Sequence, residues 1–162
     1  MKEKAMKHLL AAAVLGLVLG TGAVAQDQAT DTRGQIEAAL GMVPSMFDVF
    51  PETGLAGAWG EFSALQLSKD TALDNKTKEL MGLAVASQIP CSYCIYFHTA
   101  AARAHGATDE EIAEAVAMAA IVRHWSTVLN GMQVDQARFR SEVDTLMSAA
   151  AEASASASAK SN

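Results

Sequence analysis

The apolar residues of this chain recur with a helical period over most of its length, and that period rules out most fold classes. Runs such as "KTKELMGLAVAS" and "EEIAEAVAMAAIV" combine Ala, Leu, Met and Glu, which lose little conformational freedom in a helix. No stretch alternates apolar and polar positions with Val, Ile and Thr as a half-buried strand does. The expected fold is therefore all-α. Helices are expected near residues 32–40, 54–67, 75–87, 91–105, 108–130 and 135–148, with an irregular or one-turn segment at "GMVPSMFDVFPET". Punctuation supports these limits. Asp74 can cap the third helix, Gly106 can close the fourth, and Thr108-Asp109-Glu110-Glu111 reads as a capping box. Asn130-Gly131 is expected to end the fifth helix.

Both ends fall outside this pattern. Lys2, Lys4 and Lys7 precede an uncharged run from Leu9 to Leu19, and Ala23-Val24-Ala25 follows as a small-x-small site. The run is too short to span a bilayer, which takes about 20 apolar residues, so residues 1–25 read as a signal peptide cleaved after Ala25. Residues 26–148 then form one helical domain, and the Ala/Ser-rich residues 149–162 read as a disordered tail that lacks large apolar groups to bury. The chain carries 12 Lys+Arg against 18 Asp+Glu, and losing three lysines and Glu3 with the leader moves its net charge from −6 to −8. Such an acidic chain has no basic footprint for nucleic acid or an anionic membrane. No further membrane-spanning segment is expected once the leader is gone. The expected location is the periplasm, where disulfides form and persist.

The chemistry concentrates in "PCSYCIYFH", which holds both cysteines of the chain. Four readings compete. A disulfide across so short a loop is a structural staple of little entropic effect. A c-type haem needs histidine directly after the second cysteine, where Ile95 stands. Zinc could take Cys91, Cys94 and His98, with Glu79 as a fourth ligand, but a second C-x-x-C is missing. The fourth reading is a redox-active pair. Pro90 suits the start of a helix, so Cys91 and Cys94 are expected in its first turn, where unpaired N–H groups stabilise a thiolate. His98 lies one turn beyond Cys94 and can exchange a proton with a thiol near neutral pH. Glu79 lies upstream on the same face as Leu83 and Ala86, where a carboxylate is either solvated at the rim or buried with a partner.

The spacing Glu79, eleven residues, Cys91-Ser92-Tyr93-Cys94, three residues, His98 resembles the active-site signature of the alkylhydroperoxidase AhpD-like family, in the carboxymuconolactone decarboxylase superfamily. The similarity covers roughly residues 73–130. It implies an all-helical fold assembled as trimers or hexamers, and thiol peroxidase or disulfide reductase activity without metal or other cofactor. It also implies that Cys94 attacks the peroxide, that Cys91 resolves, and that Glu79 and His98 relay the proton. Two departures stand out. Prototype members carry a second histidine between the cysteines, where this chain has Tyr93, and a phenol is a poor base at neutral pH. The prototype is reduced by a lipoylated cytosolic partner, so in an exported chain either another dithiol reductant delivers electrons or the pair rests oxidised and acts as a disulfide donor. Members without the cysteines are decarboxylases of a lactone acid.

Other residues have plainer readings. His124-Trp125 suits a core or subunit interface better than a catalytic pocket, and His105 suits a helix C-terminus. Tyr96 and Phe97 read as core or subunit interface, and Met42, Met46, Met81, Met118, Met132 and Met147 as scattered core fillers rather than a copper-binding run. Two functions remain in competition: an exported enzyme acting on a hydroperoxide or disulfide, and a non-catalytic helical oligomer stapled by its cysteines.

Overall fold

The computed structural model describes residues 26–160, and the expected signal peptide lies outside that range. Among the described residues the chain is all-α, with no strand. The helices are α1 (residues 26–40), α2 (Glu52–Glu61), α3 (Asn75–Gln88), α4 (Ser92–Ala104), α5 (Asp109–Gly131) and α6 (Gln136–Lys160). A single 3₁₀ turn, Ser45–Phe47, precedes α2, and a π-helical segment, Phe62–Leu67, continues it. The chain divides into two compact units, the first running through Lys78 and the second beginning at Glu79.

The first unit is built on Ala29, Ile36, Phe47, Leu55 and Trp59, with Val43, Phe62 and Leu67 packed against them. Phe47 meets the rings of Trp59 and Phe62 edge-on at 5.8 and 6.0 Å. Ile36 and Leu55 are wholly buried, and such burial contributes about 1.5–3 kcal/mol per side chain. Thr32 is also buried in α1, where its hydroxyl donates to the Gln28 carbonyl at 2.7 Å. Asp74 caps α3 as its position predicts: Oδ1 accepts from the Thr77 N–H at 2.9 Å, and Oδ2 accepts from the Thr77 hydroxyl at 2.8 Å.

In the second unit Glu79, Leu83 and Ala86 of α3 are buried, as are Ala102 of α4 and Ala119 of α5. Helix α4 closes with Gly106 at φ +83°; the Gly106 and Ala107 N–H groups donate to the Arg103 and Ala102 carbonyls. Glycine suits this left-handed position. Thr108 and Glu111 form the expected capping box at the start of α5.

Three details differ from expectation. Helix α1 begins at residue 26 rather than near 32, whereas α5 ends at Gly131 as expected, with Gln133 in the left-handed turn beyond it at φ +53°. Helix α6 continues to Lys160, through residues whose composition suggests disorder. Its described side chains there are exposed, so local alanine propensity, not burial, accounts for the helix. Finally, α5 is long and apolar enough to cross a membrane by length and composition, where none was expected after the leader. Its apolar residues Met118, Ile121, Val122, Trp125 and Val128 follow helical spacing and are exposed.

Candidate active site

Local geometry places both cysteines at the junction of α3 and α4. Helix α3 stops at Gln88, and the link to α4 is short because Pro90 cannot continue the helical ladder. The Cys91 N–H turns back to the Ala86 carbonyl at 3.1 Å. A side-chain clamp holds the same corner. Gln88 Nε2 donates to the Ala119 carbonyl at 2.6 Å, and Arg123 Nε donates to Gln88 Oε1 at 2.7 Å. Nothing in the sequence marks Gln88 and Arg123, which lie 35 residues apart and belong to no motif.

Cys91 and Cys94 are joined in a disulfide, with Cα atoms 5.3 Å apart. Their places on the helix differ from the expected shared first turn. Cys91 is the N-cap of α4, and its sulfur accepts the Cys94 N–H at 3.2 Å, as a serine oxygen would at this position. Cys94 is the third helical residue. The open N–H groups and positive dipole end of α4 therefore lie against Cys91 first. Both cysteines are partly exposed, so a small substrate can reach this end of the helix.

The structure pairs Glu79 with His98. Oε2 of Glu79 lies 2.6 Å from Nδ1 of His98, the distance of a charge-assisted hydrogen bond. The Glu79 side chain is only 3% exposed, whereas that of His98 is 19% exposed, so the couple has a dry end and a wetter one. With Glu79 ionised, Nδ1 must carry the proton it donates, which leaves Nε2 as the basic nitrogen. A carboxylate that orients an imidazole and stabilises its protonated form is a general device for proton transfer. Among the described residues no hydrogen bond joins His98 to either sulfur; its connection to them is the single helical turn from Cys94.

The remaining candidates lie elsewhere. His124 is exposed on α5, with its ring edge-on to Trp125 at 5.3 Å. His105 is the C-cap of α4. Tyr93 and Tyr96 are 88% and 80% exposed, which removes them from the core of the unit, and Met42, Met46, Met81, Met118, Met132 and Met147 are exposed as well, so the methionines do not fill the core as expected. Among the described residues no three of His, Cys, Asp and Glu are grouped to hold a metal ion.

Comparison with known proteins fits this geometry. Residues 54–137 match the carboxymuconolactone decarboxylase family. The chain is 42% identical over 85 residues to uncharacterized protein 4 in the cox locus of Paracoccus denitrificans, covering 50% of this chain and 77% of that protein. It is 41% identical over 51 residues to an uncharacterized protein of Cupriavidus necator, covering 32% of this chain and 45% of that one. Its fold is similar to the crystal structure of an alkylhydroperoxidase AhpD core from Rhodospirillum rubrum. That match has a TM-score of 0.59 and 29% identity, and covers 70% of this chain and 87% of the other. A helical unit with this cysteine pair and this family match leads to one conclusion: the chain belongs to the carboxymuconolactone decarboxylase family, with an AhpD-like fold.

Proposed function

We propose that this protein is an exported thiol peroxidase and disulfide oxidoreductase that cycles Cys91 and Cys94 between dithiol and disulfide. The observation that carries the reading is the Cys91–Cys94 disulfide at the start of α4, one turn from a histidine held by a buried carboxylate. A purely structural staple has no use for that couple. The similar Rhodospirillum rubrum structure is described as an alkylhydroperoxidase core, which supports the same chemistry.

In the first step, the Cys94 thiolate attacks the terminal peroxide oxygen, the O–O bond breaks, and Cys94 becomes a sulfenic acid. The proton that left the thiol passes by way of His98 to the departing alkoxide, giving an alcohol. The Cys91 thiol then condenses with the sulfenic acid, forming the disulfide and releasing water. A dithiol reductant returns two electrons and two protons by thiol–disulfide exchange and leaves as its own disulfide. Glu79 holds the imidazole and offsets its charge while it carries the proton. Retention of both cysteines favours this cycle over lactone decarboxylation.

The exposed apolar stripe on α5 suits a second copy of the chain better than a lipid bilayer. Arg123 lies within it and is already committed to Gln88, and the first turn of α5 is acidic. We therefore read the protein as a homo-oligomer, a trimer or hexamer by its resemblance to the family, exported by way of residues 1–25.

The central test follows thiols. Reduced protein treated with hydrogen peroxide or an alkyl hydroperoxide should lose two thiols per chain and regain them with dithiothreitol. Peroxide-insensitive thiols would leave only a structural staple. Protein recovered from a periplasmic fraction should begin at Gln26, and an intact Met1 there would remove export.

A further inference from the structure

Glu79 and Gly82 are three residues apart on α3 and therefore share a face of that helix. Both meet the same imidazole. A Cβ placed on Gly82 would fall 2.5 Å from Nδ1 and 2.8 Å from Nε2 of His98, and nearer still to Cε1. Cβ atoms essentially never come within 3.0 Å of such neighbours, so the ring occupies the volume that any side chain at position 82 would need. Glycine is not required here by backbone conformation, since the positive-φ glycines are Gly41 and Gly106. Inside a helix it costs stability relative to alanine. By contrast, a Cβ on Gly60 of α2 would meet nothing within 4 Å.

We propose that Gly82 is a positioning residue: its bare Cα is the seat on which the His98 ring rests so that Nδ1 reaches Glu79. This rests on the thiol-redox reading for its functional consequence, although the geometry stands without it. The ring cannot yield to a methyl group at position 82 and keep its place. Glu79 fixes one edge of it, and the obstruction reaches both nitrogens. A substitution must therefore turn the imidazole off Glu79 or push α4 away from α3. Either change separates the base from its carboxylate without altering any group that carries a proton.

The test is a cycle of Gly82→Ala, His98→Ala and the double variant in the full chain, with Gly60→Ala as control. Three readouts apply: thermal midpoint, the downfield Nδ1–H proton signal of His98 by NMR, and the rate at which reduced protein reacts with hydrogen peroxide. Gly82→Ala should lose the Nδ1–H signal and slow the thiol reaction about a hundredfold or more, the range of general acid–base catalysis. It should add little to His98→Ala, because both remove the same contact. The sign of its stability effect should reverse. Gly82→Ala lowers the midpoint when His98 is present and raises or leaves it when His98 is alanine, since the obstruction has gone and alanine is the better helix former. Gly60→Ala should keep both signal and rate.

If Gly82→Ala alone fails to fold while the double variant folds, the obstruction is demonstrated directly. Retention of the Nδ1–H signal, or equal destabilisation in both backgrounds, overturns the inference. Wild-type thiols inert to peroxide would sink the thiol-redox reading alone, and the NMR and stability arms would still decide the role of Gly82.

Discussion

Replacement of Glu79 separates what the carboxylate does for stability from what it does for chemistry. In Glu79→Ala the charge-assisted hydrogen bond to His98 Nδ1 is lost. Bonds to charged groups contribute about 1.5–3 kcal/mol, and breaking a fully buried pair can cost about 3–5 kcal/mol. The smaller range should govern here, because His98 retains 19% side-chain exposure and can recover part of its hydration when its partner goes. At roughly 3 °C per kcal/mol for a domain of this size, the thermal midpoint should fall by about 5–10 °C. Glu79→Gln keeps an oxygen that can accept from Nδ1–H but carries no charge. Neutral hydrogen bonds contribute about 1 kcal/mol, so this variant should recover about a third to two-thirds of the lost stability. It should recover little of the rate. Without a carboxylate to stabilise the imidazolium, thiol oxidation by peroxide should slow by about 10²–10⁴-fold in both variants. Differential scanning calorimetry and stopped-flow thiol assays on the same preparations read the two effects. A Gln variant as fast as wild type would refute the proton relay, and an Ala variant with an unchanged midpoint would refute the buried couple itself.

Further outcomes follow from the same geometry. With Cys91→Ser, peroxide should leave a trappable sulfenic acid on Cys94, and Cys94→Ser should lose most of the reaction; a sulfenic acid on Cys91 in the Cys94→Ser protein would mean that the helix N-terminus, which faces the Cys91 sulfur, selects the nucleophile. The Thr77 backbone N–H, and after it the Thr77 hydroxyl, hold the Asp74 carboxyl below its ordinary value of 3.8. A depressed folded-state value means that this cap stabilises above the unfolded value and is lost as pH falls through the folded one. Asp74→Ala should therefore lower the thermal midpoint near neutral pH, with the difference closing in acid; a gap that persists well below 3.8 would refute the charged cap. Light scattering at micromolar concentration should report an oligomer, and charge introduced by Ile121→Glu with Trp125→Glu should dissociate it. A wild-type monomer, or partition into vesicles, would assign the α5 face to something other than a second copy.

Much of this protein is determined locally, and local features are readable in a sequence. Helix positions follow from apolar period and alanine content, and caps such as Asp74, Thr108 and Gly106 act within a few residues of themselves. The cysteine spacing and the histidine one turn later are likewise local, so their joint presence on α4 needed no tertiary knowledge. Other features arise only when distant segments meet. Glu79 could have been a solvated rim residue; the packing of α4 on α3 buries it and gives it His98, 19 residues away. Gln88 and Arg123 have ordinary helical surroundings in sequence and become a clamp across 35 residues only when α5 reaches the end of α3. Two places mislead for different reasons. The Ala/Ser-rich end lacks large apolar groups yet is helical by local alanine propensity, whereas Gly82, unfavourable in its own helix, answers to an imidazole on the next one. Helix propensity sums short-range terms along one segment, whereas the Glu79–His98 pairing depends on the distance between two segments, which only their packing sets.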